Sequence, residues 1–178
     1  MGCGGGFVIY DLRFMKKFVL LVFAVMFVVG VKGQGIYWGE GMVKSFLGKK
    51  APKLTVEEWV SAKPDTTGKF IVLEFWKINC GPCIKYMPHM NELSKKFKDG
   101  VVFIGMGSDP AEKVKATERV KIEFFSAVDT KKSMIGDLEL KFVPYTMIID
   151  PKGIVRWEGT PDRLTEEILK DIIKKYKK

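Results

Sequence analysis

Trp76-Lys77-Ile78-Asn79-Cys80-Gly81-Pro82-Cys83 joins two runs of opposite periodicity. Upstream, Phe70-Ile71-Val72-Leu73-Glu74-Phe75-Trp76 is almost continuously apolar, as a strand covered on both faces should be. Downstream, Cys83, Met87, Met90 and Leu93 fall at i, i+4, i+7 and i+10, one face of a helix predicted from Cys80 to about Phe97. A C-x-x-C pair therefore sits at a strand-to-helix junction. There Cys80 meets unpaired backbone N–H groups and the positive end of the helix dipole, and both favour a thiolate. Thiolate is the species that attacks a disulfide, so Cys80 is the expected nucleophile. Cys83, one turn along and more buried, suits the resolving role, while Pro82 stiffens the turn.

Glu74 is the odd member of its strand. An ionised carboxylate in an apolar run costs several kcal/mol unless it is paired, so its pKa should rise. Placed beneath the helix, it could take the proton of Cys83 during resolution. The alternative is a side chain that simply reaches solvent at the strand end.

Working outward, Gln34 to Ala51 is Gly-rich and irregular, and Leu54 to Val60 reads as an edge strand or a short helix. Val101 to Gly105 reads as a second buried strand. Asp109-Pro110 has the pattern of a capping side chain followed by proline at the first helical position. It predicts a helix over Ala111 to Arg119, with a short strand near Phe124 to Val128 and a helix from a Thr130 cap to about Leu140. Tyr145 to Ile149 and Ile154 to Glu158 read as a hairpin about the turn Asp150-Pro151-Lys152-Gly153. Leu164, Ile168, Leu169, Ile172 and Ile173 make an amphipathic closing helix. Strands alternating with helices, then a hairpin and a last helix, argue for an α/β fold with a mixed sheet flanked by helices.

Phe75-Trp76 through Cys80-Gly81-Pro82-Cys83 resembles the thioredoxin family, with Glu74 where that family commonly carries a buried Asp. Pro88 matches the proline within its active-site helix. Val143-Pro144-Tyr145-Thr146 matches its cis-proline loop, which faces the cysteine pair and binds extended substrate backbone. The resemblance covers roughly residues 50 to 174. Sixty-one positions separate Cys83 from Pro144, and the extra strand-helix material around residues 111–128 resembles the TlpA/ResA-like branch of exported bacterial thiol-disulfide oxidoreductases. Asn79 departs from the common Trp before the first cysteine.

That resemblance implies a thioredoxin-like fold with a TlpA/ResA-type insertion. It implies Cys80, Cys83 and Glu74 as catalytic residues and Trp76, Gly81, Pro82, Val143 and Pro144 as substrate-binding ones. No cofactor is implied beyond a redox-active Cys80–Cys83 disulfide, and no metal. The implied partners are disulfide-bearing envelope proteins such as apocytochrome c, and a membrane electron-donor protein. Gly81-Pro82 resembles reducing members.

The N-terminal 33 residues look like an address. Met15-Lys16-Lys17 precedes fourteen uncharged residues, Phe18 to Val31, and Val31 and Gly33 occupy the −3 and −1 positions of a cut before Gln34. A basic head, a short apolar run and small residues at the cut define a secretory signal. The run is short for a spanning helix of about 20 residues; an uncleaved anchor, the one route to membrane contact, is the alternative. Met15 resembles a natural start. The expected organisation is a signal peptide at 1–33, a lead-in at 34–49 and a thioredoxin-like domain at 50–178, in the periplasm or cell envelope. Cleavage would remove Cys3 and leave Cys80 and Cys83 as the only cysteines, in a compartment where disulfides persist.

Composition narrows the classes. With 178 residues, 47% apolar and 12% aromatic, the chain has enough apolar matter for a core and too much for disorder. Three cysteines cannot staple a mini-protein. The net charge of +9 includes four basic residues and one acid within residues 1–33, and the remaining lysines are scattered. A nucleic-acid binder would concentrate them with aromatics, so no nucleic acid is expected. Two rivals share the cysteines. A peroxiredoxin-type peroxidase usually places Thr or Ser three residues before its reactive cysteine, where Lys77 stands. A copper chaperone could use Cys80, Cys83, Met87, His89 and Met90 as soft ligands, although Met87 and Met90 share the helix face expected to pack in the core. Ile84 after Cys83 excludes a C-x-x-C-H haem attachment.

Overall fold

The apolar run at the centre of the sequence becomes the centre of a six-stranded sheet. The computed structural model describes residues 41–177; the expected signal, its cleavage point, the Met15 start and Cys3 lie outside them. In chain order the strands are β1 (Glu58–Trp59), β2 (Phe70–Trp76), β3 (Val101–Gly107), β4 (Phe125–Val128), β5 (Tyr145–Ile149) and β6 (Val155–Gly159). The helices are α1 (Gly81–Lys96), α2 (Ala111–Ala116), α3 (Ser133–Asp137) and α4 (Glu166–Tyr176), with a 3-10 turn at Pro161–Arg163 before α4. The strand order is β1-β4-β3-β2-β5-β6. β2, β3 and β4 are parallel, and β1, β5 and β6 run antiparallel to their neighbours.

Because side chains alternate across a strand, β2 feeds two cores. Leu73 and Phe75 pack with Ile104, Met106, Tyr145, Met147 and the Met134 and Leu138 side chains of the α3 region. Phe70 and Val72 pack on the other face with Met90 and Leu93 of α1 and Leu169 and Ile172 of α4. Glu74 and Trp76 share this second face by alternation. Each fully buried aliphatic side chain stabilises the fold by about 1.5–3 kcal/mol relative to exposure, which is why the sheet centre needs no further staple.

Two capping expectations are corrected. Asp109 does not cap α2, whose N-terminus has no side-chain cap; its Oδ2 accepts from the Ile78 backbone N–H at 2.9 Å instead. Thr130 does not cap α3: its hydroxyl donates to Glu57. Asp129, buried, takes that role by accepting from the Ser133 and Met134 N–H groups at 2.9 and 2.8 Å. α2 and α3, six and five residues long, are also shorter than the expected spans of Ala111 to Arg119 and Thr130 to about Leu140. Short helices bury too little on one face to extend far.

The irregular stretch before β1 is docked. Val43 and Phe46 pack against the core, the Phe46 N–H donates to Glu158, and the Ala51 N–H donates to the Gly153 carbonyl. Leu54 to Val60 resolves to the two-residue edge strand β1. Among the described residues no helix is long and apolar enough to cross a membrane.

Candidate active site

The C-terminal ends of β2 and β3 and the start of α1 meet at the cysteine pair. Cys80 is the N-cap of α1, in extended conformation (φ −98°, ψ 103°), with Pro82 in the first helical turn. Cys80 and Cys83 are joined by a disulfide with Cα atoms 5.2 Å apart. Cys80 is half-buried, whereas Cys83 is 1% exposed. A partner can reach only the first sulfur.

The surroundings of that sulfur favour negative charge. The Cys83 N–H donates to Cys80 Sγ at 3.2 Å, so an orphan donor of the helix start is already aimed at the atom that would carry the thiolate. Against it stands the partial negative charge of the Val143 carbonyl oxygen, 3.6 Å from Cys80 Sγ. The Val143-Pro144 peptide bond is cis, and this loop faces the disulfide, as the resemblance implied. Val143 is half-buried, Pro144 is buried, and Gly81 and Pro82 are exposed.

Trp76, expected among the substrate-binding residues, is 1% exposed. Its indole lies over a strip of glycine backbone on β3. A Cβ at Gly105 would stand 3.4 Å from the indole nitrogen, and one at Gly107 3.5 Å from it. Trp76 also packs with Cys83 and Met87. As folded here it supports the α1 N-terminus from below and offers no surface to a partner.

Glu74 is 2% exposed. Its hydrogen bond is donated by the Thr146 hydroxyl, from the residue opposite it on β5; neither cysteine is bonded to it. Burial pushes the Glu74 carboxyl well above its ordinary range, and the Thr146 hydroxyl offsets this only in part. The sign of the pH effect follows. A carboxyl raised on folding favours the native state below its unfolded value near 4.5, and this contribution is lost as pH rises through the folded value. Wild-type stability relative to Glu74→Gln should therefore fall with pH above about 4.5, at up to about 1.4 kcal/mol per pH unit. Urea titrations of both proteins from pH 4 to 8 read the difference; parallel curves would contradict a Glu74 carboxyl raised by burial.

Two residues were missed as parts of the site. Asp109 holds the Ile78 backbone, and Arg119 donates from Nη1 to the Asn79 side-chain oxygen at 2.7 Å, so both brace the loop before Cys80. Asp109 carried a signal, but it read as a helix cap. Arg119 carried none, because a contact forty residues apart has no sequence period. The soft-ligand cluster is not assembled: Met87 and Met90 are core residues, and His89 Nε2 lies 2.7 Å from the Leu164 carbonyl oxygen. Among the described residues no three His, Cys, Asp or Glu side chains group to hold a metal.

Comparison with known proteins agrees with this geometry. The AhpC/TSA family model matches residues 47–158. A thiol-disulfide oxidoreductase ResA of Bacillus cereus is 34% identical over 152 residues, covering 79% of this chain and 87% of that protein. The thioredoxin-like protein YneN of Bacillus subtilis is 27% identical over 151 residues, with 80% and 88% coverage. A crystal structure assigned as the thiol:disulfide interchange protein DsbE of Chlorobium tepidum superposes with a TM-score of 0.53 at 27% identity, over 61% of this chain and 81% of that one. A paired C-x-x-C at a helix start is what a thiol-disulfide exchanger needs, and the chain belongs to the AhpC/TSA family as a thioredoxin-like thiol-disulfide oxidoreductase.

Proposed function

We propose that the protein is an exported reductase of protein disulfides, with Cys80 attacking and Cys83 resolving. The observation that carries this reading is the asymmetry of the pair, one sulfur half-open with an N–H aimed at it and the other sealed in the core. In the reduced protein the Cys80 thiolate attacks a substrate disulfide. A Cys80–substrate bond forms and the substrate's second sulfur leaves as a thiolate, which takes a proton from solvent. Cys83 then loses its proton and attacks Cys80 Sγ. The Cys80–Cys83 disulfide forms, and the first substrate sulfur leaves. The substrate gains two electrons and the protein loses them.

Glu74 is the proposed acceptor of the Cys83 proton. It shares a strand face with Trp76, which packs on Cys83, and in its ionised form a carboxylate whose proton affinity is raised by burial is a stronger base toward a thiol than an ordinary one. A membrane dithiol protein would return the pair to its reduced form. Export is supported by the basic head, apolar run and small-residue cut of residues 15–33; apocytochrome c as substrate is supported by the TlpA/ResA resemblance.

The reduction potential tests the direction. A reductase should lie nearer the about −270 mV of a reducing thioredoxin than the about −120 mV of a strong oxidant. Equilibration of Cys80–Cys83 against dithiothreitol and glutathione buffers measures it. A value near the oxidising end would reverse the proposed flow.

A further inference from the structure

Beside the disulfide lies a cavity of about 400 Å³, lined by Lys77, Lys132 and Lys141 together with Leu140, Phe142 and Val143, and, among the described residues, by no carboxylate. We propose that it receives an acidic side chain of the polypeptide being reduced, so that the protein prefers disulfides flanked by Asp or Glu. This rests on the oxidoreductase reading and names its substrate class.

Three observations support it. The first is charge: all three lysines are exposed, and none forms an ion pair with a carboxylate among the described residues. Glu139, two residues before Lys141, is turned to Lys44. Three cations around one concavity repel one another unless an anion enters. The second is position. Val143 lines the cavity and its carbonyl stands 3.6 Å from Cys80 Sγ, while Lys77 precedes Cys80 by three residues. An extended chain advances about 3.3 Å per residue, so a polypeptide with its sulfur at Cys80 places residues one to three positions away in the cavity. The third is composition: the apolar wall of Leu140 and Phe142 excludes water from one side and strengthens a charge pair on the other. The volume lies within the roughly 300–1,000 Å³ range of ligand sites.

The test uses three synthetic peptides, each with one disulfide, flanked by Glu, by Gln or by Lys. Pre-reduced protein is mixed with each, and the second-order rate constant of protein thiol loss is read. At about 10 mM ionic strength, where screening is weak, the Glu peptide should react roughly tenfold faster than the Gln peptide. The ratio should fall within twofold in Lys77→Gln/Lys141→Gln, persist in Lys77→Arg/Lys141→Arg, and tip toward the Lys peptide in Lys77→Glu/Lys141→Glu. Lys98→Gln, at the opposite end of the sheet, should keep the ratio. Equal rates for the Glu and Gln peptides in the wild type, or a ratio that survives Lys77→Gln/Lys141→Gln, would overturn the proposal and leave the redox reading intact. If the wild type reduces neither these peptides nor bis(2-hydroxyethyl) disulfide, both fall.

Discussion

Cys83→Ser should accumulate a covalent complex with its substrate, whereas Cys80→Ser should neither reduce disulfides nor trap them. The expectation follows from access. Cys83 is 1% exposed, so a protein substrate cannot bring a sulfur to it while Cys80 stands in front. Without Cys83 the mixed disulfide at Cys80 has no intramolecular attacker. An attacking group one turn away acts at an effective molarity of up to about 10⁵–10⁸ M, so its loss should slow resolution by at least about a thousandfold. In Cys80→Ser the activating N–H faces a hydroxyl, a far weaker nucleophile at neutral pH. Its turnover of insulin with dithiothreitol should fall to the uncatalysed rate. Non-reducing electrophoresis of each variant after incubation with a disulfide-bearing protein reads the outcome. Equal trapping by both variants would show that either sulfur is reachable, against the burial asymmetry.

The two halves of this site were not equally legible in the sequence. Pro144 was placed only by its resemblance to the thioredoxin cis-proline loop, whereas Cys80 and Cys83 could be placed because they have a local signature, a pair one helical turn apart after an apolar strand. β2 was legible for a similar reason, since Phe70 to Trp76 is apolar on both faces. The burial of Trp76 was not legible because its neighbour in space is a glycine strip. Gly105 and Gly107 leave room on β3 for an indole, and nothing in the Trp76 segment announces that. Capping failed likewise. Asp109 and Thr130 have the residue types that cap, but each found a stronger partner elsewhere, Ile78 N–H and Glu57. A local propensity of about 1 kcal/mol yields to a tertiary contact that outweighs it. The lysine cavity is the extreme case: Lys77, Lys132 and Lys141 converge only once β2, α3 and the cis-proline loop are in place.

The largest effect on stability should come from the far end of the hairpin. Asp150, 3% exposed, closes the turn between β5 and β6. Its Oδ1 accepts from the Lys152 and Ile154 N–H groups, both at 2.9 Å, and its Oδ2 accepts from Arg156 Nε at 2.7 Å. Arg156 in turn stacks over the Tyr176 ring of α4 at 3.9 Å, so one carboxylate ties the hairpin to the closing helix. Burial alone would push this carboxyl up. The Ile154 N–H, the Arg156 guanidinium and the Lys152 N–H outweigh it and hold it below its ordinary value of 3.8. Its contribution is therefore present above that pH and lost as pH falls through the lower folded value. Asp150→Ala removes the acceptor for two N–H groups and leaves Arg156 without its counter-charge, which should cost about 3–5 kcal/mol. Asp150→Asn keeps one oxygen for the turn and should lose less than Asp150→Ala. Chemical denaturation at pH 7 measures both. Because Asp150 follows the end of β5 opposite Pro144, folded Asp150→Ala at low temperature should reduce disulfides at the wild-type rate. A fall in that rate matching the fall in stability would mean that the hairpin turn and the cis-proline loop are coupled through β5. A loss below about 1 kcal/mol would mean that water replaces the carboxylate, and that the turn is held by its backbone alone.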